Sequence, residues 1–160
     1  MADNGVADVQ ELLAKVQSYN PNAELGLIER AYNFAAKSHA GHRRASGSPY
    51  LSHPLGVSMI LAELRMDSVS IGSGLLHDTV EDCNVTVAQL EQEFGEEVAL
   101  IVDGVTKLGR VEFSRQEERQ AETFRKMLLA MAKDIRVILV KLGDRLHNMR
   151  TLEYLPEHKQ

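Results

Sequence analysis

Three features of the sequence predict an all-α fold. Apolar residues recur at spacings of three and four along most of the chain, the period of a helix with one buried face. The segments carrying this pattern are separated by short stretches of Gly, Pro, Asn and Ser. The one run of strand-like composition, Ile135-Arg136-Val137-Ile138-Leu139-Val140, continues at helical spacing through Leu142, Leu146 and Met149, which is too long for a strand. About eight helices with short connections then account for nearly all residues, without a repeat, a low-complexity tract or an interdomain linker.

In chain order, residues 7–19 set Val9, Leu12, Leu13 and Val16 on one face, and Tyr19-Asn20-Pro21-Asn22 breaks the pattern. Residues 23–39 form a longer amphipathic helix with Leu25, Ile28, Tyr32, Ala35, Ala36 and His39 inward, ending near Gly41. His39 is read as a hydrogen-bonded core histidine and is not assigned to a site. The stretch from His42 to Tyr50 is a basic loop, in which Arg43 and Arg44 suit bidentate contact with phosphate or stacking on a base. As plain solvated charge they would need no ligand. Ser52 is expected to cap the next helix, with Pro54 in its first turn and His53, Val57, Ile60 and Leu64 sharing a face. Asp67 or Ser68 caps the helix after it, where Gly72 and Gly74 let a neighbouring helix come close.

Thr86 and Gln89 form a capping box for a short helix that stops at Phe94-Gly95. Residues 97–108 place Val98, Ile101, Val102, Val105 and Leu108 inward, and 109–114 is a polar connection flanked by Lys107 and Arg110. Residues 115–132 put Ala121, Phe124, Leu128 and Met131 on one stripe opposite alternating charges, the pattern of an outer helix. The last helix, 134–149, is expected to bury Ile138, Leu142, Leu146 and Met149, with Gly143 costing about 1 kcal/mol relative to alanine. Its other side aligns Lys141, Asp144, Asn148 and Thr151.

The densest chemistry lies in His77-Asp78-Thr79-Val80-Glu81-Asp82. On one continuous helix His77 lies over Glu81 and Asp78 over Asp82. The stripe through Ile71 and Leu75 reaches Asp78 and aims its carboxylate at the apolar side. A buried carboxylate without a partner is neutralised or costs several kcal/mol, roughly, and a metal cation is the simplest group that keeps it ionised.

Composition narrows the classes of function. A chain of 160 residues that is 44% hydrophobic is one domain with a sizeable core. The formal charge of -5 gives no overall electrostatic footprint for nucleic acid or an anionic membrane, so an anionic substrate must be met by a local basic patch. Cys83 is the single cysteine, which excludes an internal disulfide and fits a reducing, cytoplasmic setting. The polar, acidic start has no signal-peptide pattern, and no apolar run reaches spanning length.

His53, His77, Asp78 and Asp144 make a set of two imidazoles and two carboxylates on inward stripes of different helices. Mixed nitrogen and oxygen donors without a thiolate suit a borderline-hard divalent ion, Mn²⁺ first, with Zn²⁺, Fe²⁺ or Mg²⁺ as alternatives. Neighbours at 77 and 78 point about 100° apart on a helix, so a shared ion must sit over their bisector. Glu81 and Asp82 lie one turn beyond, placed to orient or deprotonate an attacking water. A solvated acidic face is the plain alternative for that pair.

The runs His39 to Tyr50 with His53-Pro54, then His77 to Asp82, Val102-Asp103-Gly104-Val105-Thr106-Lys107-Leu108, and Asp144-Arg145-Leu146-His147-Asn148-Met149-Arg150-Thr151-Leu152 resemble the hydrolase domain of the RelA/SpoT family, a branch of the HD-domain phosphohydrolases. The resemblance covers almost the whole chain. It implies a multi-helix HD bundle around a central metal site, and removal of the 3′-pyrophosphate of ppGpp and pppGpp with Mn²⁺ as cofactor. It assigns His53, His77, Asp78 and Asp144 as metal ligands, Glu81 with Asp82 to water activation, Arg44 against the guanine, and Asn148 and Thr151 to the nucleoside side. Arg43 and Arg44, with Lys107 or Arg145, would offset substrate charge within an acidic protein.

Two departures from the family pattern bear on this. The family often has a lysine after the loop arginine, where this chain has Ala45, so contacts that set substrate preference are expected to differ. The family's domain continues for further helices, and residues 1–160 are expected to be the hydrolase part of a larger bifunctional protein whose synthetase motifs lie elsewhere. Two other readings fit the same residues: an HD phosphohydrolase of another nucleotide, and a catalytically silent fragment that binds guanine nucleotide as a regulator.

Overall fold

The computed structural model describes residues 4–40, 51–109, 121–122, 124–125 and 134–150. Its helices are α1 (Asn4–Tyr19), α2 (Leu25–Ser38), α3 (Ser52–Glu63), α4 (Ser68–Leu76), α5 (Thr79–Asp82), α6 (Val87–Phe94), α7 (Glu96–Gly109) and α8 (Arg136–Arg150). No strand occurs among the described residues, so the fold is all-α as the periodicity predicts. None of the described helices is long and apolar enough to cross a membrane.

The bundle is arranged around α4. Ser68 and every residue from Ser70 to Leu76 are buried, and α2, α3, α7 and α8 all pack against this one helix. A helix buried on all sides needs small residues where neighbours cross and internal partners for its hydroxyls. The sequence Ser-Val-Ser-Ile-Gly-Ser-Gly-Leu-Leu supplies the small residues and a partner for Ser73, while Ser70 Oγ is buried without a hydrogen bond. Ser73 Oγ donates to the Val69 carbonyl at 2.7 Å, and from α3 Ser58 Oγ donates to the Ile71 carbonyl at 2.9 Å. Asp67 is the residue that caps the helix, accepting from the Ser70 amide at 3.0 Å.

The flanking helices bury the residues their periodicity selects: Val9, Leu12, Leu13 and Val16 on α1, Ile28, Tyr32 and Ala35 on α2, and Val98, Ile101, Val102 and Val105 on α7. The Thr86/Gln89 capping box is complete, and α6 ends at Gly95 with φ +94. Other boundaries differ. Ser52 is already inside α3, which starts without a side-chain cap, and Leu64, at its far end, is 57% exposed.

The largest correction concerns α8. Leu142, Leu146 and Met149, expected inward, are 55%, 40% and 65% exposed, while Val137, Ile138, Val140, Gly143 and Asp144 are buried. The inward face is therefore rotated away from the bulkiest residues toward small and polar ones. Contact distance explains it. A Cβ built on Gly104 would meet the Val137 methyls at 2.9 and 3.0 Å, so α8 lies too close to α7 there for a larger residue, and one on Gly143 would already touch Val57 Cγ1 at 3.4 Å, leaving room on the α3 side for little beyond a methyl. The helix-propensity cost of Gly143 is offset by this packing. Phe124, also expected on a buried stripe, is 63% exposed.

Arg136 fixes the start of α8, bonding Asp134 at 2.6 Å, the α4 cap Asp67 at 2.7 Å and Glu97 of α7 at 3.1 Å. Three carboxylates raise the guanidinium pKa despite partial burial.

α3 and α4 pack tightly at Gly74, where an added Cβ would meet Ser58 Oγ at 2.8 Å and Leu61 Cδ1 at 2.9 Å. Ser58 is held by its bond to Ile71 and Leu61 is fully buried, so neither yields freely. Gly74→Ala is expected to lower stability by about 1–3 kcal/mol. Urea unfolding reads this as a lower midpoint with unchanged slope, and an unshifted midpoint would mean the two helices have room to part.

Candidate metal centre

Four helical segments deliver the polar cluster. His53 is the second residue of α3 and is 3% exposed. His77 follows the last residue of α4 and is 2% exposed. Its Nδ1–H donates to the Gly74 carbonyl at 2.7 Å, which turns Nε2 toward the cluster. Asp78 comes next, before α5. Asp144 sits mid-way along α8 and is buried.

The chain from Ser68 to Asp82 is not one continuous helix, as the stripe reading expects. It turns at His77 and Asp78, with φ/ψ of -58/-29 and -94/-7, before restarting at Thr79. The Thr79 hydroxyl donates to the Leu76 carbonyl and the Asp82 amide to the Asp78 carbonyl, so the backbone groups around the break are partnered. The turn brings two adjacent side chains together, with His77 Nε2 only 3.1 Å from Asp78 Oδ1.

Asp144 is the common acceptor. Its Oδ1 lies 2.7 Å from His53 Nε2 and 3.3 Å from His77 Nε2. Asn148 Nδ2 approaches the same oxygen at 3.4 Å, and Lys141 Nζ bonds Oδ2 at 3.1 Å. Asp78 Oδ2 stands 3.8 Å from His53 Nε2. One ligand atom each from His53, His77 and Asp144 falls within 4.8 Å of the others, a spacing one cation can bridge.

The electrostatics fit a cation. Burial raises the pKa of Asp144, but hydrogen bonds from His53 and His77 outweigh it and hold the carboxyl well below the usual range. Asp78 is lowered against burial by the charge and hydrogen bond of His77. Burial disfavours the His77 imidazolium, yet the charge of Asp78 and hydrogen bonds to Asp144 and Asp78 push its pKa up to about 10. For His53 burial wins, and its pKa is lowered. The cluster thus demands positive charge between its carboxylates, and a proton on His77 supplies it in the metal-free chain. The donor set and this demand fit a divalent ion.

Other expected site residues stand further out. Glu81 and Asp82 are exposed on α5, one turn after Asp78. Asn148, expected to meet substrate, reaches Asp144 with its Nδ2. Lys107 pairs with Asp103 at 2.9 Å on α7, and Arg145 is exposed. Arg43, Arg44 and Thr151 lie outside the described residues. His39 is 3% exposed and accepts from the Cys83 thiol at 3.2 Å, a core role. Burial, then Asp82 and Asp78, push that thiol up to about 11, which keeps it protonated.

Lys141, which the sequence aligns with Asp144 without giving it a part in the site, touches the cluster, and so does His147, which sequence reasoning left out of that stripe. His147 Nδ1 is 2.7 Å from His53 Nδ1. The available signal was spacing: both lie three residues from Asp144 and so share its face.

A buried His/Asp centre held between helices defines a class of helical metal-site domains. The family model for the HD domain matches residues 31–160. A GTP pyrophosphokinase of Myxococcus xanthus is 57% identical over 148 residues, 91% of this chain and 20% of that protein. A protein of Synechocystis named probable guanosine-3′,5′-bis(diphosphate) 3′-pyrophosphohydrolase is 56% identical over 134 residues, 84% of this chain and 18% of that protein. This chain therefore spans about a fifth of the length of those curated relatives. Among solved structures, one described as a metazoan ortholog of SpoT that hydrolyses ppGpp superposes with a TM-score of 0.64 at 32% identity, covering 79% of this chain and 70% of that one. The chain belongs to the HD-domain family, in its RelA/SpoT branch.

The His77 pKa, raised from 6.5 to about 10, contributes stability that is full below the lower value and lost as pH rises through the higher one. A cation that takes Nε2 must displace this proton, so its binding tightens with pH. Between roughly pH 7 and pH 8.5 the Tm of the metal-free chain is expected to fall, while the increment on adding Mn²⁺ grows. An increment independent of pH would remove His77 from the ion's ligands.

Proposed function

We propose that residues 1–160 are the hydrolase domain of a larger cytoplasmic enzyme, and that this domain cleaves the 3′-diphosphate of ppGpp and pppGpp with Mn²⁺ as cofactor. The observation that carries the reading is the convergence of His53, His77 and Asp144, with Asp78 beside them, on an HD fold. The hydrolase name of the Synechocystis relative and the described ppGpp hydrolysis by the metazoan neighbour support it. Pyrophosphokinase activity, named for other relatives, is assigned to the four-fifths of those proteins that this chain does not span.

His53, His77, Asp78 and Asp144 would hold the ion. Mn²⁺ there supplies Lewis acidity toward a phosphoryl oxygen and makes water easier to deprotonate. The remaining roles belong to side chains. Glu81 and Asp82, exposed beside the centre, accept the proton of the attacking water. That water's oxygen bonds to the phosphorus attached at O3′, the O3′–P bond breaks, and the proton taken up by Glu81 or Asp82 is passed to the 3′ oxygen, which leaves as a hydroxyl. The products are pyrophosphate and GDP or GTP. Arg43 and Arg44 are assigned to substrate, with Asn148 and Thr151 toward the nucleoside.

The test is pyrophosphate release from ppGpp by metal-stripped chain before and after adding Mn²⁺. Release is expected only after addition. Equal or faster hydrolysis of an ordinary nucleotide would overturn the substrate, and bound ppGpp without release would overturn the activity.

Asp82→Asn is expected to lower kcat by at least about 10²-fold while leaving Mn²⁺ affinity unchanged. A fully active variant would take Asp82 out of the mechanism.

A further inference from the structure

We propose that His147 is a positioning residue for the metal centre: when an ion takes His53 Nε2, His147 Nδ1 accepts a hydrogen bond from His53 Nδ1 and so holds the Nε2 lone pair toward the ion. This rests on His53 serving as a ligand, as in the reading above.

The geometry is specific. The two Nδ1 atoms are 2.7 Å apart, and the rings lie 4.8 Å centroid to centroid at 47°. Two nitrogens at that distance share one proton between them. An imidazole that gives Nε2 to a cation must carry its proton on Nδ1, because neutral imidazole holds only one. In the metal-free chain, where His53 Nε2–H bonds Asp144, the proton between the two Nδ1 atoms belongs to His147; an ion that takes Nε2 moves the His53 proton to Nδ1, so that His147 Nδ1 becomes the acceptor and its own proton sits on Nε2.

The backbone makes room for this ring. A Cβ built on Gly56, one turn after His53, would run into His147 Nε2 and Cδ2, well inside contact distance. Glycine at 56 lets an α8 side chain lie flat on α3 and reach the far nitrogen of His53. Asp144 and His147, three residues apart on α8, thus engage the two nitrogens of one imidazole, Asp144 at Nε2 and His147 at Nδ1. The ring cannot rotate about its Cβ–Cγ bond without losing both contacts. Outer partners of this kind contribute about 10–100-fold in metal affinity.

His147→Phe keeps a flat ring over Gly56 and removes the acceptor, whereas His147→Asn restores an acceptor oxygen near the Nδ1 position. By calorimetry the Phe variant is expected to bind Mn²⁺ about 10–100-fold more weakly, and the Asn variant to recover most of the loss. Equal affinity in wild type and the Phe variant, or equal loss in both variants, would overturn the proposal. A wild-type chain that binds no Mn²⁺ would instead overturn the metal-site reading itself. A measurement on the unaltered protein guards against variants that fail to fold. In ¹⁵N spectra of the Zn²⁺-loaded chain, His53 is expected to show a protonated Nδ1 and a metal-bound Nε2, and the reverse tautomer would overturn the role of His147.

Discussion

The structure depends on one buried carboxylate. Asp144 takes hydrogen bonds from His53 of α3 and His77 at the end of α4, and its second oxygen is bonded by Lys141. A carboxylate at this depth is tolerable only while its partners stay in place. The same bonds therefore set where α8 crosses α3 and α4. Function and architecture are not separable here, because the contacts that keep the carboxylate ionised are the contacts that join the helices.

Short side chains impose a second constraint. Histidine and aspartate reach only a few ångströms, so helices that supply them to one point must run close together. The protein meets this with glycine at each crossing: Gly74 where α4 meets α3, Gly143 where α8 meets α3, Gly104 where α7 meets α8, and Gly56 under the His147 ring. Each weakens its own helix by roughly 1 kcal/mol relative to alanine. The loss is offset by dispersion contacts that larger residues would prevent.

How much of this was legible in the sequence depended on whether a feature was local. The helices of α1, α2 and α7 follow from their own periodicity, and the Thr86/Gln89 and Asp67 caps from neighbouring residues. The cluster was legible too, since His77-Asp78 ends an apolar stripe and His53 and Asp144 occupy inward positions. The rotation of α8 was not. Ranking its positions by hydrophobicity favours Leu142, Leu146 and Met149, whereas the buried face is chosen by the close approach of α3 and α7 around Gly143 and Val137. That information resides in other helices. The turn at His77-Asp78 carries no glycine or proline to announce it, and His147 gained its place only once α8 was correctly rotated.

The cluster also orders events in time. Asp144 lies 91 residues after His53 and 67 after His77. A growing chain of about 5–20 residues per second exposes the two imidazoles and Asp78 for seconds before their shared acceptor is made. Until α8 arrives, α3 and α4 present an unfinished polar notch to whatever surrounds the ribosome. Closing that notch is a long-range step, of the kind that slows folding relative to local helix formation. The last described helix to be synthesised is thus the one that completes both the core and the centre.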